Sequence, residues 1–262
     1  MAGLLEGQVG IISGGLGDIG RAIALELARR GADVAVGDVL AERKARPVLR
    51  EVEALGRRGR YDRVDVSDAE AVAGWVQAVE GDLGPPTLIV PSAAIVRPAG
   101  FADLAPADWR AELSVNLDGA FHLAHFATRQ LMRKKMPGRV VFIGSWAAHA
   151  VHPHIPTYCV SKAALRMLMR CLAAELAPRG IYVNEVAPGY VDAGLSGRFF
   201  RADPALKKAC RARVPNRLLI DADEVARHVA WLCEPANRHM VGSTLLMDGG
   251  LSLFGVAGRR ED

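Results

Sequence analysis

The 262-residue sequence predicts a single doubly wound α/β domain, with a parallel sheet of about seven strands and helices on both faces. Three observations support this. Short apolar runs alternate with longer amphipathic stretches along the whole chain, the pattern of successive βαβ units. No repeat, low-complexity segment or linker interrupts that alternation. A hydrophobic content of 50% and a charged content of 24% suit one large core, and the length is within the range of one α/β domain spanning 1–262.

The elements follow in order. "QVGIIS" reads as the first strand, and "DIGRAIALELARRG" as a helix closed by Gly31, whose missing Cβ suits a left-handed C-terminal turn. "DVAVGD" is the second strand and 41–55 the second helix. "RYDRVDV", "TLIVPSAA", "RVVFIGS", "IYVNEVAP" and "STLLMDGG" supply five further strands. Helical periodicity covers 68–80, 107–135, 157–177 and 222–233. Ligands of such sheets bind outside the carboxyl ends of the strands, so residues there carry most of the functional information.

Bulk properties exclude several roles. No apolar stretch approaches the 18 or more residues of a membrane span, and "MAGLLEGQVGIIS" lacks a basic n-region and cleavage site. Cys159, Cys171, Cys210 and Cys233 are widely separated, with no metal or redox spacing; a reduced, cytoplasmic location is the expectation. A net charge of +4 is too slight for a nucleic-acid partner. The basic runs at 57–60 and 133–135 read as solvated helix ends.

The segment "SGGLGDIG", residues 13–20, places four glycines in eight positions between the first strand and the first helix. Gly15, Gly17 and Gly20 spell G-x-G-x-x-G, which permits a tight turn and lets a pyrophosphate approach the backbone and the helix N-terminus. In this context the domain reads as Rossmann-like, although a glycine-rich turn without a ligand has the same string. Asp38 ends the second strand 18 residues beyond Gly20. A carboxylate there accepts from ribose hydroxyls and repels a 2′-phosphate, which favours NAD over NADP; the alternative is a loop aspartate or helix cap. Arg43, Lys44 and Arg46 follow within an expected helix. Asp65 is placed to meet an adenine edge, or to cap the helix beginning near Asp68.

"YCVSK" opens a helix and sets Tyr158 and Lys162 four residues apart on one face. An ammonium beside a phenol lowers its pKa and equips it as a general acid or base on an alcohol or carbonyl. Alone, such a spacing is also that of a surface pair. Ser145, ending a strand 13 residues earlier, offers a hydroxyl to a substrate oxygen. Asn116 lies within helical "ELSVNLDGAF", where an asparagine is unfavourable unless it has a polar task.

In this order of motifs the chain resembles the short-chain dehydrogenase/reductase family over approximately residues 5–250: glycine loop, Asp38, Asp65, Asn116, Ser145, Tyr158 with Lys162, Pro188-Gly189 and "GSTLLMDGG". The resemblance implies that Tyr158 exchanges the proton with the substrate oxygen and Lys162 lowers its pKa and bonds the nicotinamide ribose. Ser145 orients the substrate oxygen, and Asn116 supports a water relay to Lys162. It further implies a cofactor site at Gly14, Gly17, Asp18, Ile19, Gly20, Asp38, Asp65, Val66, Ser92, Tyr158, Lys162, Pro188, Gly189 and Val191. No metal is required.

The chain departs from the family's pattern in four places. Ser13 replaces threonine; Asp18 replaces glycine and is expected to turn sideways and cap backbone N–H groups. Pro91-Ser92-Ala93-Ala94 replaces Asn-Asn-Ala-Gly, leaving Ser92 to supply part of the lost hydrogen bonding. Ala193 replaces a threonine near the nicotinamide amide, whose contact falls to backbone around Val191.

The substrate is expected between "WAAHAVHPHIPT", Ala94 to Arg97 and the stretch after Tyr190. Ser145, His149, His154 and Tyr190 are the candidate contacts, and His152 lies among them; the histidines also read as ordinary loop residues. Residues 194–215 resemble the family's lid, with Phe199, Phe200 and six basic residues. By the same resemblance, the helices at 107–135 and 157–177 would build a homo-oligomer, a tetramer or dimer. The expected activity is NAD-dependent interconversion of a secondary alcohol, such as a sugar or polyol, and its ketone. An NADPH-preferring 3-oxoacyl or ketone reductase and a non-catalytic NAD-binding relative are the alternatives.

Overall fold

The computed structural model describes residues 3–253, so the ends of the expected 1–262 domain lie outside the described residues. Seven parallel strands form one sheet in the order β3-β2-β1-β4-β5-β6-β7. They are β1 (Val9–Ser13), β2 (Asp33–Asp38), β3 (Gly59–Arg63), β4 (Leu88–Pro91), β5 (Gly138–Ile143), β6 (Ile181–Pro188) and β7 (Thr244–Met247). Strand order reverses between β1 and β4, and the crevice at that reversal is where ligands of such sheets bind.

Helices cover both faces. On one, α1 (Asp18–Arg29), α2 (Arg46–Ala54) and α9 (Ala222–Cys233) enclose a core around Ile12, Ile23, Leu27, Val34 and Val229. On the other, α3 (Ala69–Asp82), α5 (Gly119–Lys134) and α6 (Pro156–Leu176) bury Ile11, Trp75, Ile89, Leu123, Phe142 and Met169. Both strand faces are therefore apolar, which explains why β1 and β5 read as continuous apolar runs. The remaining helices, α4 (Pro106–Leu113), α7 (Gly194–Ala202) and α8 (Pro204–Arg213), lie at the carboxyl end of the sheet or lead into it.

Three elements differ from the sequence reading. The helix expected over 107–135 is broken by one π turn at Ser114–Asp118, because the buried Asn116 side chain is drawn to groups outside its own helix. The helix expected over 41–55 is a 3-10 turn, Glu42–Lys44, followed by α2. β3 stops at Arg63 because Asp65 turns its carboxylate back onto Ser67 N and Oγ, at 2.9 and 2.7 Å.

Candidate active site

A cleft of about 690 Å³ runs along the carboxyl ends of the strands, from the β1–α1 loop to α7. Its floor at one end is the glycine loop. Gly14 has φ +64°, and a Cβ there would lie 2.8 Å from the Ala93 Cα; a Cβ on Gly20 would lie 2.2 Å from the Gly14 carbonyl oxygen. Glycine is thus required both by conformation and by the close approach of two loops. Ser13 Oγ accepts from Ser92 N at 3.1 Å and Ala93 N at 3.2 Å, so its hydroxyl braces the segment whose asparagines are missing.

Gly14, Gly17, Asp18, Ile19 and Gly20 all line the cleft, together with Asp38, Asp65, Val66, Ser92, Pro188, Gly189 and Val191. Asp38 Oδ2 accepts from Leu16 N at 3.2 Å and Oδ1 from Leu40 N at 3.3 Å, which fixes the carboxylate against the glycine loop. The cap of α3 is Asp68, whose carboxylate accepts from Glu70 N and Ala71 N, leaving Asp65 facing the cleft. Asp18 departs from its expected role. It caps nothing in α1; Oδ2 accepts instead from Gly194 N at 2.8 Å, the first residue of α7. Its position at the first turn of α1 points the side chain across the cleft mouth, so it ties the phosphate loop to the lid.

At the other end, Ser145, Tyr158 and Lys162 come together in the cleft lining. Lys162 is buried, donates to the Ile143 carbonyl at 2.8 Å, and holds its Nζ 5.5 Å from the Tyr158 ring centroid. Burial pushes the Tyr158 phenol up to about 12, against the Ser145 hydroxyl bonded to it, which works downward. Burial also pushes the Lys162 ammonium down to about 8. Desolvation is the largest influence on the phenol, and the Ser145 hydroxyl is what works against it.

Asn116 is 1% exposed and acts as a brace. Its Oδ1 accepts from Ile95 N at 2.8 Å, and its Nδ2 donates to the Ile95 carbonyl at 2.9 Å and Ser161 Oγ at 3.2 Å. With Ser13, it thereby holds the chain after β4 against α6. A second brace was not legible in the sequence. Arg166, one turn beyond Lys162, binds the fully buried Glu185 through Nε at 2.7 Å and Nη2 at 3.2 Å, and Nη2 reaches the Ser145 carbonyl at 3.3 Å.

The histidine expectations change on the substrate side. His149 is exposed and outside the cleft, and His154 is exposed with φ +64°. His152 lines the cleft instead. Its ring packs edge-on against Trp146 at 4.3 Å, and its Nε2 is buried without a partner among the described residues. Burial lowers its pKa, so the ring is neutral at pH 7. Tyr190 does line the cleft and stacks edge-on with Trp146 at 5.2 Å and Phe200 at 6.4 Å, linking the floor to the lid. Trp146, His152 and Ile155 all belong to the segment expected at the substrate, but a loop without periodicity does not tell which of its residues face the cleft.

Comparison with known proteins bears on this arrangement. A family model described as enoyl-(acyl carrier protein) reductase matches residues 15–252. The chain belongs to the short-chain dehydrogenase/reductase family. The 3-oxoacyl-[acyl-carrier-protein] reductase of Haemophilus influenzae is a short-chain relative 30% identical over 95% of this chain and 100% of its own. The 3β-hydroxysteroid dehydrogenase 1 of Eggerthella lenta is 30% identical over 95% of each chain. Among solved structures, a short-chain type dehydrogenase/reductase from Mycobacterium marinum superposes with a TM-score of 0.89 at 27% identity, covering 95% of this chain and 96% of that one. An Agrobacterium tumefaciens structure with bound NADP does so at 0.87 and 28%, covering 95% and 98%. The short-chain family is an oxidoreductase family that binds a nicotinamide cofactor and acts on alcohol or ketone groups.

Proposed function

We propose that this protein is an NAD-preferring oxidoreductase that interconverts a secondary alcohol and its ketone, with Tyr158 as general acid and base. The observation that carries the cofactor choice is Asp38. Its carboxylate lines the cleft beside the glycine loop, while Arg43, Lys44 and Arg46 do not line it and the next residues, Val39 and Leu40, are apolar. A 2′-phosphate would meet the Asp38 carboxylate, while the neighbouring Arg63 does not line the cleft and spends its Nε on the Val39 carbonyl at 3.0 Å. The fit to a dinucleotide rests on the glycine loop, which lines the cleft through Gly14, Gly17 and Gly20 with no side chain between its backbone and a ligand, and on the α1 N-terminus at its edge.

The bound nicotinamide supplies or accepts the hydride. The chain's own residues do the rest. Tyr158 gives its proton to a carbonyl oxygen or takes one from a hydroxyl. Ser145, 8% exposed and bonded to the phenol, orients that oxygen. Lys162 keeps positive charge beneath the pair, and Asn116 fixes α6 relative to the β4 segment.

Val96, Trp146, Ile155, Tyr190, Leu195 and Phe199 wall the substrate end, and His152 is the one histidine in it. Such walls favour a substrate with an apolar body and a second oxygen over the polyol expected from sequence. The exposed Phe121 on α5 and Val160 and Met167 on α6 are the surfaces for the proposed homo-oligomer. Among the described residues, no helix is long and apolar enough to cross a membrane.

The test is a calorimetric or tryptophan-fluorescence titration with NAD and NADP in both redox states. Binding of NAD at least tenfold tighter than NADP supports the reading. A preference for NADP would overturn the role of Asp38.

A further inference from the structure

One ionisable group beside the catalytic pair has no part in the proton transfer itself. Glu112, on α4 four residues before Asn116, is 1% exposed. Its Oε2 accepts from Arg97 N at 3.0 Å, and its Oε1 is buried with no hydrogen-bond partner among the described residues. α4 packs against α6, the helix of Tyr158 and Lys162. A buried carboxyl with one hydrogen bond is poorly compensated and does not serve stability. A methionine or leucine would fill the same volume at no such cost.

We propose that Glu112 is a positioning residue that keeps the Tyr158 phenol and the Lys162 ammonium protonated and so sets the pH range in which the centre exchanges its proton. This rests on the oxidoreductase reading for its consequence, though not for its electrostatics. The charged groups facing Glu112 are Arg97 from the segment after β4, Asp108 on its own helix, and Lys162 on α6; Glu185 on β6 faces Lys162 from the other side but is held by Arg166. Burial raises the Glu112 carboxyl above its ordinary value, with Arg97 and Lys162 working downward and Asp108 upward. Once ionised, Glu112 opposes proton loss from Tyr158 and from Lys162. In reduction, the carbonyl carbon receives the hydride from the reduced nicotinamide and the carbonyl oxygen receives the phenol proton; the phenolate then regains a proton from solvent. A negative charge behind the phenolate favours that last step and raises the pH at which the phenolate needed for alcohol oxidation forms, so the pH dependence of both directions shifts together.

Glu112→Gln keeps an acceptor for Arg97 N–H and removes the charge, which separates the electrostatic role from a merely structural one. The direct readout is the Lys162 titration followed by NMR of protein carrying 13C at the lysine ε-carbon, with Lys162→Met to assign the signal. The expected result is a Lys162 midpoint lowered by about half a pH unit or more in Glu112→Gln, with Glu112→Asp near wild type. An unchanged midpoint in Glu112→Gln would overturn the proposal. Should that variant not fold, Glu112→Asp decides: a midpoint shifted by more than about half a unit despite the retained charge contradicts it. The titration needs neither substrate nor cofactor, so it stands apart from any failure of the oxidoreductase reading. In turnover, Glu112→Gln should move the pH profiles of reduction and of oxidation to lower pH by about half a unit, while the ratio of the two kcat/KM values at fixed pH stays as the reaction equilibrium sets it.

Discussion

The Arg166–Glu185 pair offers a quantitative test of how the catalytic floor is held. Glu185 is 0% exposed, and among the described residues its carboxylate is hydrogen-bonded by Arg166, through two nitrogens, and by Thr244 Oγ1 at 2.7 Å. Replacing Arg166 by Met fills the same volume with an apolar chain and orphans the carboxylate. Breaking such a pair from one side costs about 3–5 kcal/mol. The orphan has an escape, because a glutamic acid can take up a proton. That uptake costs about 1.4 kcal/mol per pH unit above the ordinary value, or roughly 4 kcal/mol at pH 7, which caps the loss. The sign follows: the variant's carboxyl is raised relative to the unfolded chain, so its deficit is full at neutral pH and shrinks as pH falls toward that ordinary value. Urea unfolding of wild type, Arg166→Met and Arg166→Met with Glu185→Leu, at fixed protein concentration and at pH 7 and pH 5, reads all of this. The single variant should lose about 3–4 kcal/mol at pH 7 and clearly less at pH 5, and the double variant should recover most of the loss. A loss under about 1 kcal/mol, or one equal at both pH values, would refute the buried-pair reasoning.

Three further outcomes are expected. Asp18→Ala removes the exposed bond to Gly194 N, so proteolysis within 194–213 should accelerate while global stability moves by less than about 0.5 kcal/mol; an unchanged cleavage rate means the tie does not hold the lid. Asp38→Ala with Val39→Arg should shift preference toward NADP by about tenfold or more in competitive titration, and no shift would move the cofactor determinant elsewhere. His152, lowered by burial, charges in the unfolded chain before the folded one as pH falls, so its burden appears below about pH 6.5. His152→Ala should therefore lessen the acid loss of stability, seen as a flatter Tm between pH 7 and pH 5, and weaken substrate binding; an unaltered Tm profile would show the ring titrating freely.

Much of the fold was legible because both faces of the sheet are covered. Runs such as "VGIIS" and "RVVFI" must then be apolar throughout, and the intervening helices carry one apolar stripe each. The proton-transfer residues were legible because Tyr158 and Lys162 share a helix face at fixed spacing. What escaped depends on contacts between distant segments. The polar task of Asn116 is legible from its place in a helix, but its partners Ile95 and Ser161 and the π turn around it are not. Asp18 sits where an aspartate favours its own helix, yet Gly194, 176 residues away, takes the carboxylate. Glu112 reads as a polar residue of an amphipathic helix, and only the packing of α4 on α6 turns it inward. The choice among the three nearby histidines was set by a loop with no repeat to read.

The proton transfer assigned to Tyr158 is tested most directly by Tyr158→Phe, assayed in both directions on a secondary alcohol and ketone that the wild type turns over, beside an NAD titration. The phenyl ring keeps the packing and loses the one proton the reaction needs, so turnover should fall by about two orders of magnitude or more while NAD binds within a few-fold of wild type. Turnover within tenfold of wild type, with NAD bound, would contradict the assignment of the proton to Tyr158.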